Sequence, residues 1–268
     1  MSERVTPSVV LRTRAIRESD LIVVLLTPTS GKLECIARSA RRSRKRFPGG
    51  LPVGARGEAT IGRGRGSLAS LAGFVPSREH SGLGRDLEVF AYVAYLCELT
   101  EHLVTGSAPD AAIFARLCEA LESTIAAAGK QVSPAWLRRY ELALLDALGQ
   151  LPALERCSVC GSQAAQDSHG LAFSLARGGV LCADHGGAVG RVEPEVTQLA
   201  LSLLEAPEAG EKGWWEAYAR APRGTRRGLR DLCRASIQPQ LRGKLKSLQF
   251  FAQIATPAPT DLGPKGAG

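Results

Sequence analysis

Ile22-Val23-Val24-Leu25-Leu26-Thr27-Pro28-Thr29-Ser30-Gly31-Lys32-Leu33-Glu34-Cys35-Ile36-Ala37 is the stretch whose reading decides the fold. Its five opening apolar residues make a run of strand length that Pro28 breaks, because proline has no N–H to give a ladder. Thr29-Ser30-Gly31 supplies a turn. Beyond it Leu33, Cys35 and Ala37 alternate with Lys32, Glu34 and Arg38, the period of a strand with one buried face. Upstream, Val9-Val10-Leu11-Arg12-Thr13-Arg14-Ala15-Ile16 is rich in β-branched residues. Downstream, residues 57–61 and 67–74 alternate again, joined by Gly62-Arg63-Gly64-Arg65-Gly66, where glycine tolerates the positive φ of a hairpin loop. Five short strands over residues 9–75 predict a small closed or partly open barrel, of which the OB-fold is the commonest nucleic-acid-binding example.

From Leu83 the period becomes helical. Leu87, Phe90, Ala94 and Cys97 recur at spacings of three and four, leaving Glu88, Glu98 and Glu101 to face water. Residues 110–128 and 134–148 repeat the pattern, with start signals at Pro109-Asp110 and at Ser133-Pro134. Helix resumes over 195–204 and 225–236. The expected architecture is an α+β multidomain chain. An OB-fold β-barrel occupies 1–79, and an α-helical domain with an inserted zinc knuckle at 155–190 occupies 80–255. A tail at 256–268 is too poor in apolar residues to order itself.

The knuckle is read from Cys157-Ser158-Val159-Cys160, answered by Cys182-Ala183-Asp184-His185. Pairs of soft ligands at two-residue spacing close around a tetrahedral zinc ion. Cys157, Cys160, Cys182 and His185 fill all four places, so no position is open for water or substrate, and a structural zinc is expected rather than a catalytic one. Gly161 after the first pair and Gly178-Gly179 before the second suit a tight knuckle and a hairpin turn. Thiols that merely filled core space would not give two separate two-residue spacings. A disulfide reading is weaker, since seven cysteines leave one unpaired.

Charge is segregated along the chain. Residues 1–78 carry 15 basic and 5 acidic side chains, residues 79–219 carry 9 and 19, and residues 220–246 carry 9 and 1. Two basic ends around an acidic middle point to a polyanionic partner gripped by particular surfaces. The first is Arg38, Arg41, Arg42, Arg44, Lys45 and Arg46, six cations in one loop, joined by Arg12, Arg14, Arg63 and Arg65 of the same predicted barrel. Such a set grips phosphates and carries little sequence information. The second runs through Arg220, Arg223, Arg226, Arg227, Arg230 and Arg234 to Arg242, Lys244 and Lys246, and either extends the nucleic-acid path or receives an acidic peptide. Aromatic residues make up 5% of the chain and the barrel offers only Phe47 and Phe74, so base stacking is poorly supplied and both single and double strands are expected to bind. No apolar run approaches membrane-spanning length and Met1–Thr6 is short and polar, so a cytoplasmic protein without a signal peptide is expected. Scattered histidines and the absence of a nucleotide-binding or metal-hydrolase motif argue against an enzyme. A zinc-containing, sequence-specific transcription or translation factor is the alternative.

The residues resemble the RecO family of bacterial recombination mediators over about residues 8–254. The resemblance rests on the Val10-Leu11-Arg12-Thr13-Arg14 opening, Glu18-Ser19-Asp20, Leu26-Thr27-Pro28 with Gly31-Lys32-Leu33, and Ala40-Arg41-Arg42 before Phe47. The knuckle, with Phe173-Ser174 and Gly178-Gly179 inside it, and the ending Leu245-Lys246-Ser247-Leu248-Gln249-Phe250 continue it. Ser39 stands where many relatives carry glycine, and His185 where many carry a fourth cysteine. The resemblance implies an OB-fold, a helical domain and often a zinc knuckle. It also implies a protein that anneals complementary strands and, with RecR, helps load RecA on single strands coated with single-strand-binding protein. The acidic tail of that protein, with its terminal apolar residue, is then an expected ligand. Arg223, Arg227, Arg230 and Arg234 would supply cations for it, and Leu229 and Leu232 the apolar groups, unless those leucines pack the helix on the core.

Overall fold

The computed structural model describes residues 3–64, 68–77, 86–106, 108–129, 132–205, 213–241 and 243–255. Arg65 and the tail expected at 256–268 lie outside them. Five strands, β1 (Arg4–Ala15), β2 (Leu21–Thr27), β3 (Gly31–Ala37), β4 (Arg56–Gly62) and β5 (Ala69–Pro76), close into a barrel in the order β1-β2-β3-β5-β4. All neighbours are antiparallel except β3 and β5, where Cys35 faces Ala69 in parallel. This is the five-stranded OB-type barrel that the strand spacing predicts. Its long first strand pairs with β4 through one half and β2 through the other, and a register shift between Val10 and Arg12 lets it turn from one to the other.

The unbroken apolar run of β2 now has a reason. Val23 and Leu25 point into the barrel core with Val10, Cys35, Phe47 and Phe74, whereas Val24 and Leu26, with Val9 and Leu11, belong to the core of the helical body. A strand buried on both faces cannot alternate with polar residues. Arg12 pairs with Glu101, Arg56 with Glu122, and Lys32 Nζ donates to the Glu101 carbonyl at 2.5 Å, so charged groups frame the apolar junction.

Helices α1 (Leu87–Leu103), α2 (Ala111–Ala126) and α3 (Pro134–Ala147) begin at side-chain caps, Asp86, Asp110 and Ser133. The first cap starts α1 at Leu87; Leu83, from which the helical period is read, lies outside the described residues. The expected face of α1 holds at Cys97, which is buried, and is corrected at Leu87 and Phe90, which are exposed, while Val89, Tyr92, Val93, Leu96 and Leu99 are buried. α1 packs against β1, α2, α3 and a C-terminal helix at once, and a helix so surrounded shows no single apolar stripe. Nor do Glu98 and Glu101 simply face water. Glu98 accepts from the N–H groups of Lys246 (2.9 Å) and Ser247 (2.8 Å) and from Ser247 Oγ (2.6 Å).

Those bonds cap the C-terminal helix, which runs over Lys246–Ala255 and escapes periodicity reading because its cap comes from a helix far back in the chain. After α3 come the small knuckle sheet, β6 (Gln166–Asp167), β7 (Gly170–Ser174), β8 (Gly179–Val180) and β9 (Gly190–Val192), and the one-turn helix α4 (Ala183–Gly186). α5 (Pro194–Glu205), α6 (Gly213–Arg220) and α7 (Arg223–Ile237) then pack on α3 around a second helical core, and the C-terminal helix is α8. α6, like α8, lies outside the helices that periodicity predicts.

Gly54 marks how closely barrel and helices meet. Its φ is +81°, and a Cβ there would lie 2.2 Å from Val93 Cγ1 on α1. Gly54→Ala is expected to cost about 2–4 kcal/mol, combining left-handed strain with overpacking. Equilibrium urea unfolding measures it, and a change within about 0.5 kcal/mol of wild type would contradict the tight junction.

Candidate nucleic-acid interface and metal centre

The chain leaves β3 into a turn-rich loop that carries Arg38, Arg41, Arg42, Arg44, Lys45 and Arg46, all exposed, between two anchors in the barrel core, Ala40 and Phe47. Glu18-Ser19-Asp20 shapes it. Asp20 Oδ1 accepts from the Ser39 N–H at 2.7 Å, the Ser19 carbonyl from the Arg41 N–H at 3.1 Å, and the Glu18 carbonyl from Arg41 Nη1 at 3.2 Å. The Glu18 carboxylate also pairs with Arg42. At the far end Arg46 Nη2 donates to the Arg38 carbonyl at 2.8 Å, and the Phe74 N–H to the Arg46 carbonyl at 2.9 Å. Ser39 adopts φ +54°, the left-handed conformation that glycine occupies without cost, and is the one non-glycine residue among the described residues to do so. The loop is therefore a shaped turn whose cations stand outward. Arg38, Arg44 and Lys45 have no ion pair among the described residues.

The other predicted barrel cations are placed differently. Arg12 Nε lies 2.7 Å from Glu101 and Arg12 Nη2 3.9 Å from Glu34, so this side chain bridges barrel and α1. Arg14 is exposed near the end of β1, two residues before Ile16, whose N–H donates to the Asp20 carbonyl. Arg63 is exposed beyond β4, and Arg65 is outside the described residues. Phe47 and Phe74 are 2% and 0% exposed. Neither ring can stack on a base.

α7 is amphipathic throughout. Arg223, Arg227, Arg230 and Arg234 are exposed, whereas Leu229 and Leu232 lie in the core with Cys233 and Ile237. The two leucines expected to receive an apolar peptide end are thus corrected to core residues. An apolar surface exists nearby instead. A groove of about 620 Å³ runs between α7, α6 and the start of α3, with Pro134, Trp215 and Tyr218 beside Arg138, Arg223 and Arg227. Trp215 is 38% exposed, and Arg226 stacks 5.8 Å over Tyr218. Sequence reading missed Arg138, Trp215 and Tyr218; the Trp214-Trp215 pair beside a basic helix was the available signal. All three tryptophans of the chain cluster here, Trp136 and Trp214 4.6 Å apart edge to face and Trp215 5.8 Å from Trp214.

In the knuckle the ligand atoms of Cys157, Cys160, Cys182 and His185 lie within 4.8 Å of one another and could hold a metal ion. Cys157 Sγ is 3.6 Å from His185 Nδ1, Cys160 Sγ 3.7 Å from Cys182 Sγ, and Cys182 Sγ 3.2 Å from His185 Nδ1. A tetrahedron with usual zinc–ligand lengths has edges of about 3.8 Å between sulfurs and about 3.6 Å between sulfur and nitrogen, so the donor set fits that ion. The local fold arranges it. Gly179, at φ +134°, lies so close to Ala153 that a Cβ would meet its backbone at 2.3 Å, which locks the returning hairpin against the segment leading to Cys157. Although burial works against the thiolate, N–H groups of Cys160, Cys182 and Val159 bring the Cys157 thiol down to about 6. The knuckle's own apolar cluster, among the described residues, holds only Cys157, Ala172, Leu181 and Cys182, with Val189 beside it.

Comparison with known proteins matches both parts of the molecule. The model for the N terminal of recombination protein O matches residues 1–78, and that for its C terminal matches residues 84–249. The DNA repair protein RecO of Anaeromyxobacter sp. (strain Fw109-5) is 32% identical over 256 residues, 95% of this chain and 98% of that protein. That of Symbiobacterium thermophilum is 37% identical over 174 residues, 65% and 68% of the two chains, and that of Myxococcus xanthus 33% over 243 residues, 88% and 92%. With barrel and helical body both matched along nearly their whole length, the chain belongs to the RecO family.

Proposed function

We propose that the protein is a non-catalytic DNA repair and recombination mediator of the cytoplasm. It binds single- and double-stranded DNA through backbone phosphates, anneals complementary strands, and with RecR helps load RecA on strands coated with single-strand-binding protein. The observation that carries the reading is the outward cationic loop, pinned by Glu18-Ser19-Asp20 on a barrel that exposes no aromatic ring among the described residues. Such a surface holds strands by charge and leaves their bases free to find partners. Annealing of complementary oligonucleotides, timed with and without protein, tests it; selective binding to one duplex sequence would favour a regulator instead. Zinc, held by Cys157, Cys160, Cys182 and His185, supplies no reaction step here and serves only to close the knuckle.

The arginine groove is assigned to the acidic tail of single-strand-binding protein. Cations for side-chain carboxylates stand beside Trp215, Tyr218 and Pro134, which suit an apolar end. Because every tryptophan belongs to this cluster, binding of an unlabelled tail peptide should change the intrinsic fluorescence of the whole protein. Arg227→Glu with Arg230→Glu is expected to weaken that peptide by about tenfold or more, since two attractive charges become repulsive at a surface that salt screens in part. DNA affinity should fall much less. Equal peptide titrations for wild type and double variant would remove the tail from this surface.

A further inference from the structure

The four ligands of the knuckle are not equally sheltered. Cys157 and Cys182 are 3% and 6% exposed, whereas Cys160 stands open to solvent just before Gly161, with the exposed Ser162 hydroxyl 3.0 Å from its sulfur. A small oxidant therefore meets one sulfur first. The other two sulfurs are held differently: three backbone N–H groups, of Cys160, Cys182 and Val159, fix that of Cys157, while Cys182 has one such bond, from His185. Cys182 Sγ lies 3.7 Å from Cys160 Sγ, and Ser162 hydrogen-bonds to both. These two sulfurs face each other across the exposed side of the site. The remaining cysteines, Cys35, Cys97, Cys118 and Cys233, are buried, and burial pushes each thiol up toward its inert, protonated form.

We propose that Cys160 and Cys182 form a reversible oxidation site for hydrogen peroxide and small hydroperoxides, closing to a disulfide that opens the knuckle. This rests on the zinc reading above. A bound zinc keeps its sulfur ligands as thiolates, the nucleophilic form. The Cys160 sulfur attacks one peroxide oxygen as the O–O bond breaks; the departing oxygen takes a proton from solvent and leaves as water or alcohol. Cys160 is then a sulfenic acid. The Cys182 sulfur attacks Cys160 Sγ, the S–S bond forms as the S–O bond breaks, and the released hydroxide takes a proton and leaves as water. The two sulfurs have given up two electrons, which the peroxide has gained. Cys157 and His185 remain, too few donors to keep the ion.

Zinc-loaded wild type, treated with hydrogen peroxide beside a chromogenic chelator too weak to strip the untreated site, tests the proposal. Free thiols are then blocked in denaturant and the chain is cut with trypsin. Cleavage after Arg156, Arg177 and Arg191 puts Cys157 and Cys160 on one peptide, 157–177, and Cys182 on another, 178–191. Zinc should be released as the two peptides become joined, with fragmentation between Cys157 and Cys160 placing the link at Cys160 and the four buried cysteines still reduced. A thiol reductant should part the peptides and let zinc rebind. Cys160→His, which keeps a ligand but no oxidisable sulfur, should hold its zinc through the same treatment; if it loads no metal, the wild-type peptide map decides alone. Untreated protein without zinc would overturn the zinc reading and this proposal with it. Zinc retained under peroxide, or lost with a link inside 157–177 or with Cys160 carried on to sulfinic acid, leaves the zinc reading standing and the oxidation site wrong.

Discussion

Replacing Arg41, Arg42 and Arg44 together by glutamate is expected to lower affinity for every DNA, single or double, by on the order of 10²-fold at low salt, with no change in sequence preference. Each lysine or arginine that neutralises a phosphate releases condensed counter-ion. The slope of log affinity against log salt should therefore flatten by roughly 0.9 for each phosphate left un-neutralised on duplex DNA, and by about 0.7 on a single strand. Annealing should slow in step. The loop is exposed and its backbone is fixed by Asp20, Ser19 and the barrel anchors Ala40 and Phe47, so the variant should keep its thermal transition. A salt series that overlays wild type would move the main DNA-binding surface to α7.

The second large effect concerns the metal. Purified protein should contain one zinc, and a chelator or Cys160→Ser should release the segment from 155 to 190 to limited proteolysis, with cleavage on the order of 100-fold faster than in the holoprotein. A cluster of four buried residues cannot hold that segment by itself. Acid should have the same effect. Against the effect of burial, backbone N–H groups bring the folded Cys157 thiol from an ordinary 9 down to about 6, so the contribution of its thiolate is complete only above about 9 and is lost progressively as the pH falls toward 6. Protons should therefore compete with zinc for this thiolate only on acidification below about 6, and zinc should be lost there. Protein free of zinc by elemental analysis, with proteolysis unchanged by chelator, would rule out the structural ion.

How much could be read beforehand follows from how locally each feature is encoded. The barrel strands, the Asp110 and Ser133 caps and the Cys-x-x-Cys pair announce themselves within a few residues, because a strand's period, a cap and a chelate are short-range devices. What stayed hidden depends on distant partners. α8 owes its start to Glu98, 148 residues before Lys246. The buried face of α1 depends on elements packed on several sides, so Leu87 and Phe90 mimicked a core stripe that lies elsewhere. Leu229 and Leu232 read equally as pocket or core until α5 and α6 were seen to cover them. Arg12 looked like one more phosphate cation because Glu101 belongs to another domain.

Since β1 and β2 give their second face to the helices, the first 80 or so residues are not a cartridge that can be unplugged. An excised barrel would present Val9, Leu11, Val24 and Leu26 to water, a sticky flank inviting self-association. The same welding joins the two basic surfaces to one stiff frame, pinned by Lys32, Arg12 and Arg56 along the seam. On the function proposed above, a strand held at the cationic loop pulls on the body that carries the arginine groove, as a handle moves the whole tool.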